Sequence, residues 1–233
     1  QKAFCGDAMN GVHWPVPLDT HTFDQAQDVN LTLARAFMAM RATDPNRQTE
    51  QPFYASHDQL LARVQLPEFD ALIQFIVASL QKTISQANAG VWPEGRMRLQ
   101  LQLAGCWFQI QNGMSFHDVH THGNCSWSGV YYVQCDDQAT RHAHPTLGRM
   151  NGVTRFYGPY TDWLSGAYMD IGNAYLQKNT LDIEPEPGRL VLFPAYVPHK
   201  AMPYEGQSDR IIVSFNVQVH SPDGDQVFAY DAM

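Results

Sequence analysis

The chain has 233 residues, 44% of them hydrophobic and only 16% charged, with a formal net charge of -8. That length buries a sizeable core as one domain, and the acidic balance offers no basic surface for nucleic acid or anionic lipid. The longest apolar runs, such as LIQFIVASL, fall well short of a bilayer span, and QKAFCGDAMNG at the start lacks the charged and apolar regions of a signal peptide.

The first periodic segment is FDQAQDVNLTLARAFMAM, from about Phe23 to Met40. Val29, Leu33, Ala36, Phe37 and Met40 recur there at spacings of three and four, the stripe of an amphipathic helix, and DPN at Asp44 to Asn46 closes it. A stronger helix is predicted from Pro67 to about Ala89. Phe69, Leu72, Ile73, Ile76, Val77, Leu80 and Ile84 share a face, Pro67, Glu68 and Asp70 occupy the first turn, and Gly90 follows the last. From Arg96 the period becomes two. RMRLQLQLAGCWFQIQ alternates Leu99, Leu101 and Leu103 with glutamines and reads as one long strand; WSGVYYVQC, VTRFYG, GRLVLFPAYV and RIIVSFNVQV are further strand-like runs between turn-rich segments. The simplest architecture is a single domain over residues 1–233, with a helical support region in 1–95 packed on a β-barrel or sandwich in 96–220. The stretch from Asp136 to Asn151, containing RHAHP, is expected as a surface loop. Four cysteines, Cys5, Cys106, Cys125 and Cys135, lack CxxC spacing and are sparse for a disulfide scaffold, so a reducing cytoplasm is the expected compartment.

Three of the ten histidines fall within FHDVHTHGN, Phe116 to Asn124. On a regular strand Asp118, His120 and His122 point one way and His117, Val119 and Thr121 the other. Two imidazoles at i and i+2 can hold one metal ion, with Asp118 or the remote His199 of LVLFPAYVPHKAMP as a further ligand; the competing reading is surface or hydrogen-bonded core histidines. His142 and His144 form a second His-x-His in the expected loop, where no hydrophobic frame fixes ligand geometry. The histidines at 13, 21, 57 and 220 read as surface residues. Arg210 opens RIIVSFNVQV and shares a face with Ile212, Ser214 and Asn216. A buried guanidinium there would call for a carboxylate ligand, to which Ser214 could add a hydroxyl; the alternative is an edge-strand arginine paired with Asp209 or Glu205. Trp107, Trp127, Tyr131, Tyr132, Phe156, Tyr157 and Tyr160 either line a pocket or form ordinary core.

WFQIQNGMSFHDVHTHGNCSWSGVYYV and PEPGRLVLFPAYVPHKAMPYEGQSDRIIVSFNVQV together resemble the two signature halves of the 2-oxoglutarate- and Fe(II)-dependent oxygenases, in a bacterial and phage group of that family. The resemblance spans Gly105 to Val219. It implies a mainly β protein with N-terminal helices, folded as a double-stranded β-helix of the jelly-roll, cupin-like kind. It implies a hydroxylase-type dioxygenase using Fe(II) and the cosubstrate 2-oxoglutarate, with His120 and His199 on the metal and Arg210 on the distal carboxylate of 2-oxoglutarate. Where the family carries His-x-Asp or His-x-Glu this chain has His-x-His, so the third ligand is His122, with Asp118 as the alternative. Ile212 stands where the group tends to have serine, which leaves Ser214 as the hydroxyl on that face. The expected substrate is a small molecule or a protein side chain, and a homodimer is a common state for chains of this size. A second reading is a cupin-like metal-binding protein or enzyme that does not use 2-oxoglutarate, since PAYVPH has the form of a cupin turn. No glutamate follows His122 within four residues, however, and Arg210 would then have no duty. A third is a non-catalytic β-sandwich with incidental histidines. A zinc hydrolase is disfavoured because no HExxH glutamate accompanies the ligands.

Overall fold

The computed structural model describes residues 16–45, 53–57, 59–92, 98–158 and 180–222. Ten strands form two antiparallel sheets. The strands are β1 (Asp19–Thr22), β2 (Phe53–Ala55), β3 (Gln100–Gln111), β4 (Ser115–His120), β5 (Trp127–Gln134), β6 (Thr154–Tyr157), β7 (Thr180–Ile183), β8 (Arg189–Pro194), β9 (His199–Tyr204) and β10 (Arg210–His220). The larger sheet runs β1-β8-β5-β10-β3-β2 and the smaller β4-β9-β6-β7. After β3 the strands alternate between the sheets, except that β6 and β7 are paired neighbours in the smaller one, so the chain winds as a jelly roll whose two inner faces enclose a cavity.

The two helices expected from periodicity are present as α1 (Ala26–Thr43) and α3 (Pro67–Ala87), with a single turn, α2 (Leu60–Arg63), between them. Pro67 begins α3 with its fixed φ, Glu68 and Asp70 meet the positive end of the helix dipole, and the Asn88 side chain donates to the Ile84 carbonyl at 2.8 Å to close it. Their apolar stripes cover the outer face of the larger sheet. Leu33, Phe37, Leu72, Ile76 and Leu80 are fully buried against Phe108, Ile110, Val213 and Phe215, and the Phe37 and Phe108 rings stack at 4.4 Å. Each such side chain contributes about 1.5–3 kcal/mol over its exposed state. The helix layer also anchors β5, because the buried Tyr131 hydroxyl donates to Asn30 on α1 at 2.7 Å.

Alternation along β10 separates two environments. Ile211, Val213 and Phe215 face the helices, whereas Arg210, Ile212 and Ser214 face the inter-sheet space. A smaller apolar cluster, with Tyr132, Phe156, Val191, Phe193 and Val197, closes the jelly roll around that space. Close packing here demands Gly129, since a Cβ at that position would lie 2.3 Å from the Phe215 ring.

Three expectations require correction. The long strand begins at Gln100, and the predicted start near Arg96 lies outside the described residues. The segment from Asp136 to Asn151 is no plain surface loop: it folds into α4 (Gln138–His142) and a 3-10 turn at Gly148–Met150, because Arg141 is buried and bonds the Asp136, Asn151 and Pro185 carbonyls and the Glu184 carboxylate. His21 is not a surface residue but bridges to Thr83 of α3 at 2.8 Å, tying β1 to the helix layer. His57 and His220 are exposed as expected, and His13 lies outside the described residues.

Candidate metal and anion centre

The histidine segment forms β4, the edge strand of the smaller sheet, and it is not regular. Its pairing with β9 matches His117 to Ala201 and His120 to His199, so three steps on β4 oppose two on β9. The extra residue is a β-bulge, which breaks the alternation expected from sequence. His117 and His120 therefore both face the cavity, their rings 4.1 Å apart, while Asp118 turns outward. The Asp118 side chain is 78% exposed and accepts from its neighbour Val119 and from Lys200 at 3.3 Å; these bonds hold its carboxyl below the usual range. The predicted common face for Asp118, His120 and His122 is thus overturned, and Asp118 is not brought to the histidine cluster.

His120, His122 and His199 do converge. Each offers a ring nitrogen, and the three lie within 4.8 Å of one another. His122 follows β4, where its backbone N–H donates to the Ala195 carbonyl at 2.9 Å and so seats it beside the PAYVPH turn that delivers His199. The Nδ1 of His120 lies 2.7 Å from the Asp118 carbonyl and that of His199 lies 3.0 Å from the Val197 carbonyl. A carbonyl only accepts, so both Nδ1 atoms carry the proton and both Nε2 atoms present lone pairs. The Nε2 atoms of His122 and His199 are 3.3 Å apart, the separation of two ligands sharing one ion at bonds of about 2.1 Å. Burial pushes His199 down to about 3 and His122 down to about 4, and like charge on the neighbouring imidazoles adds to the effect. The His122 and His199 rings are therefore neutral at pH 7, and the cluster is backed by Phe193 and Phe156, whose rings lie 4.6 and 5.7 Å from His199. This donor set suits Fe(II).

These depressed values carry a stability consequence. Below 6.5 the unfolded chain protonates these imidazoles while the folded chain does not until about 4 and about 3. The stabilisation is complete above pH 6.5 and falls as pH drops through the window toward 4. The metal-free protein should show a lower urea midpoint at pH 5 than at pH 7, and His199→Gln should narrow the difference; equal midpoints in the parent would refute the burial argument.

The same cavity, of about 360 Å3, holds Arg210 and Ser214. Arg210 is 1% exposed. Its guanidinium donates to Gln111, approaches the Thr154 hydroxyl at 3.4 Å and lies 5.2 Å over the Tyr132 ring, while its Nε has no partner. No carboxylate among the described residues pairs with it. Asp209 bonds Asn112 and Arg41 instead, and Glu205 bonds His144, which excludes the edge-strand alternative. A buried, unpaired guanidinium requires an anion. Sequence reasoning missed Gln111, Thr154 and His117 as cavity or support residues. Strand period puts Thr154 and Phe156 on one face, but nothing local says which sheet that face meets. Of the aromatic candidates, Trp107 lines the cavity, Trp127, Tyr131, Tyr132 and Phe156 are buried, Tyr157 is half-buried, and Tyr160 lies outside the described residues. His142 and His144 are occupied by Glu184 and Glu205, at 3.0 and 3.1 Å, and form no metal cluster among the described residues.

Two antiparallel sheets around such a cavity define the class: a double-stranded β-helix, mostly β with few helices. Residues 105–216 match the family described as "Putative 2OG-Fe(II) oxygenase". The match covers just under half of the chain, and over that segment the chain is similar to this family. No curated protein sequence matches the chain. Solved structures share the fold at low identity. A prolyl-4-hydroxylase from Pseudomonas putida is 16% identical with a TM-score of 0.52, covering 87% of this chain and 92% of that one. A prolyl hydroxylase from Trichoplax adhaerens, in complex with a hypoxia inducible factor oxygen degradation domain peptide fragment, is 11% identical with a TM-score of 0.52 over 93% and 88%. The non-heme alpha ketoglutarate dependent epimerase SnoN of nogalamycin biosynthesis is 13% identical with a TM-score of 0.52 over 87% and 78%. Among the described residues no helix is long and apolar enough to cross a membrane.

Proposed function

We propose that the protein is a hydroxylase in which His120, His122 and His199 hold Fe(II) and Arg210 binds the distal carboxylate of 2-oxoglutarate, with β3 to β10 as the catalytic core and α1 and α3 as its support. The observation that carries this reading is the placing of a buried guanidinium without an acid in one cavity with three convergent imidazoles. With iron and cosubstrate bound, the site supplies oxidative decarboxylation of 2-oxoglutarate to succinate and carbon dioxide, coupled to insertion of the second oxygen atom of dioxygen into a substrate C–H bond.

The chain's own groups have distinct tasks. Arg210 offers its fork to the carboxylate, and Gln111 fixes the guanidinium from behind. Thr154, bonded to Tyr132 at 2.7 Å and near Arg210, adds a hydroxyl on the β6 side, and Ser214 adds one on the β10 side. The Asp118 and Val197 carbonyls hold the His120 and His199 tautomers that leave Nε2 for the metal. Phe156 and Phe193 keep water from the back of the centre. The substrate is a small molecule or a protein side chain.

An anaerobic titration of the Fe(II)-loaded protein with 2-oxoglutarate tests the reading. A weak visible charge-transfer band that saturates is the expected result. No band despite full iron loading would overturn it and favour a cupin-like metalloprotein without this cosubstrate.

A further inference from the structure

The cavity has more wall than iron and 2-oxoglutarate use. Strand period and register place Trp107, Gln109 and Gln111 on one face of β3, opposite Ser214, Ile212 and Arg210 of β10. Gln111 accepts from Arg210 through its Oε1, and its buried Nε2 has no partner. Gln109 is not committed to anything. It lines the cavity at 8% exposure, and neither its amide nitrogen nor its amide oxygen has a hydrogen-bond partner among the described residues. Its amide atoms are open to the cavity, and a primary amide that faces a cavity with no protein partner is free to bond a ligand group.

Its surroundings restrict that group. Phe53 on β2 lies next to Gln111 in the register, beside Gln109's own partner Ala55, and stacks parallel to the His117 ring of β4 at 6.1 Å. Trp107, on the other side of Gln109, lies 6.3 Å from the His122 ring. Along β3 Gln109 thus lies between Trp107, which is near the His122 ring, and Gln111, which is opposite Phe53. No carboxylate or ammonium lines the cavity among the described residues, and in the proposed reading Arg210 serves the cosubstrate.

We propose that this side of the cavity, Phe53, Trp107, Gln109 and His117, is the substrate subsite, and that Gln109 anchors an uncharged carboxamide of the substrate by paired hydrogen bonds. A primary amide presents N–H donors and a carbonyl acceptor side by side. A second carboxamide matches both; a carboxylate would set oxygen against oxygen, and an ammonium would set donor against donor. The cavity's 360 Å3, shared with the cosubstrate, admits a group of side-chain size between the rings. A peptide and a free amide offer the same chemistry. The inference rests on the cosubstrate reading, since occupation of the Arg210 end is what leaves this side open.

The test uses the full chain loaded anaerobically with Fe(II) and 2-oxoglutarate, and three probes with one aromatic body: phenylacetamide, phenylacetate and phenethylamine. Calorimetry and perturbation of the charge-transfer band report binding. Phenylacetamide should bind at least about tenfold more tightly than either charged probe, the scale set by one buried hydrogen-bonded group. Gln109→Leu should erase that preference, and Gln109→Glu, which keeps the shape and exchanges donors for charge, should turn it toward phenethylamine. Affinity for 2-oxoglutarate should move by less than about threefold in Gln109→Leu, well below the effect of losing a buried hydrogen bond. N-acetylphenylalaninamide binding more tightly than phenylacetamide would point to a peptide as carrier, and the reverse order to a free small molecule. An amide preference that is absent in the parent, or that survives Gln109→Leu, overturns the proposal. So does loss of 2-oxoglutarate instead of the amide in Gln109→Leu, which would move Gln109 to the cosubstrate. Failure of the parent to form the 2-oxoglutarate chelate is seen before any probe is added, and it removes the cosubstrate reading together with this inference.

Discussion

Arg210→Ala should leave Fe(II) binding intact and weaken 2-oxoglutarate by about 10²-fold or more, because a charge-assisted bond to a buried anion is lost and nothing replaces it. The guanidinium is 1% exposed, its Nε is unpartnered, and its nearest neighbours, Gln111, Thr154 and the Tyr132 ring, are all uncharged. Removing it leaves the carboxylate of the cosubstrate desolvated without compensation. Arg210→Lys should recover only part of the loss, since a point charge on a flexible stem cannot reproduce the planar fork. Anaerobic titration of each variant with 2-oxoglutarate after confirmed iron loading reads both effects. Equal cosubstrate affinity in parent and alanine variant would show that the guanidinium serves the fold alone.

The second large effect concerns the ligand set. His120→Ala and His199→Ala should each cost Fe(II) affinity by more than about 10²-fold, a scale that loss of outer-sphere partners alone already approaches. His122→Ala should do the same, whereas Asp118→Ala should stay within a few-fold of the parent because its carboxylate points to solvent and bonds Lys200. His122→Asp should bind at least as tightly as the parent, since it supplies the negative charge that three neutral imidazoles lack. Anaerobic dialysis with metal analysis measures all five variants, and circular dichroism checks that each remains folded. Loss of iron in Asp118→Ala with retention in His122→Ala would reverse the assignment.

Much of this centre is legible in local sequence. His-x-His at the end of one strand, PAYVPH after another and an arginine opening the last are local patterns, and so are the stripes of α1 and α3. Their legibility has a common cause, because periodicity and turn chemistry depend on residues a few positions apart. The facing of Asp118 and His117 is of another kind. It follows from one extra residue between His117 and His120 in the pairing with β9, and a bulge is a property of two strands, not of one. Arg141 shows the same limit, for its burial in what reads as a loop depends on carbonyls of Asn151 and Pro185, the latter 44 positions away.

The sequence by itself determined α1, α3 and the strands β3, β5, β6, β8 and β10, the shared face of Arg210, Ile212 and Ser214, and the residue types able to hold a metal and an anion. Only the tertiary structure decided that β4 and β9 bring three imidazoles within 4.8 Å, that Arg210 has no acid to neutralise it, and that Gln109 is left unpaired in the same cavity. Those facts depend on which strands face each other across the jelly roll, and that is set by packing between residues as distant as His120 and His199, with no trace in the local pattern around either.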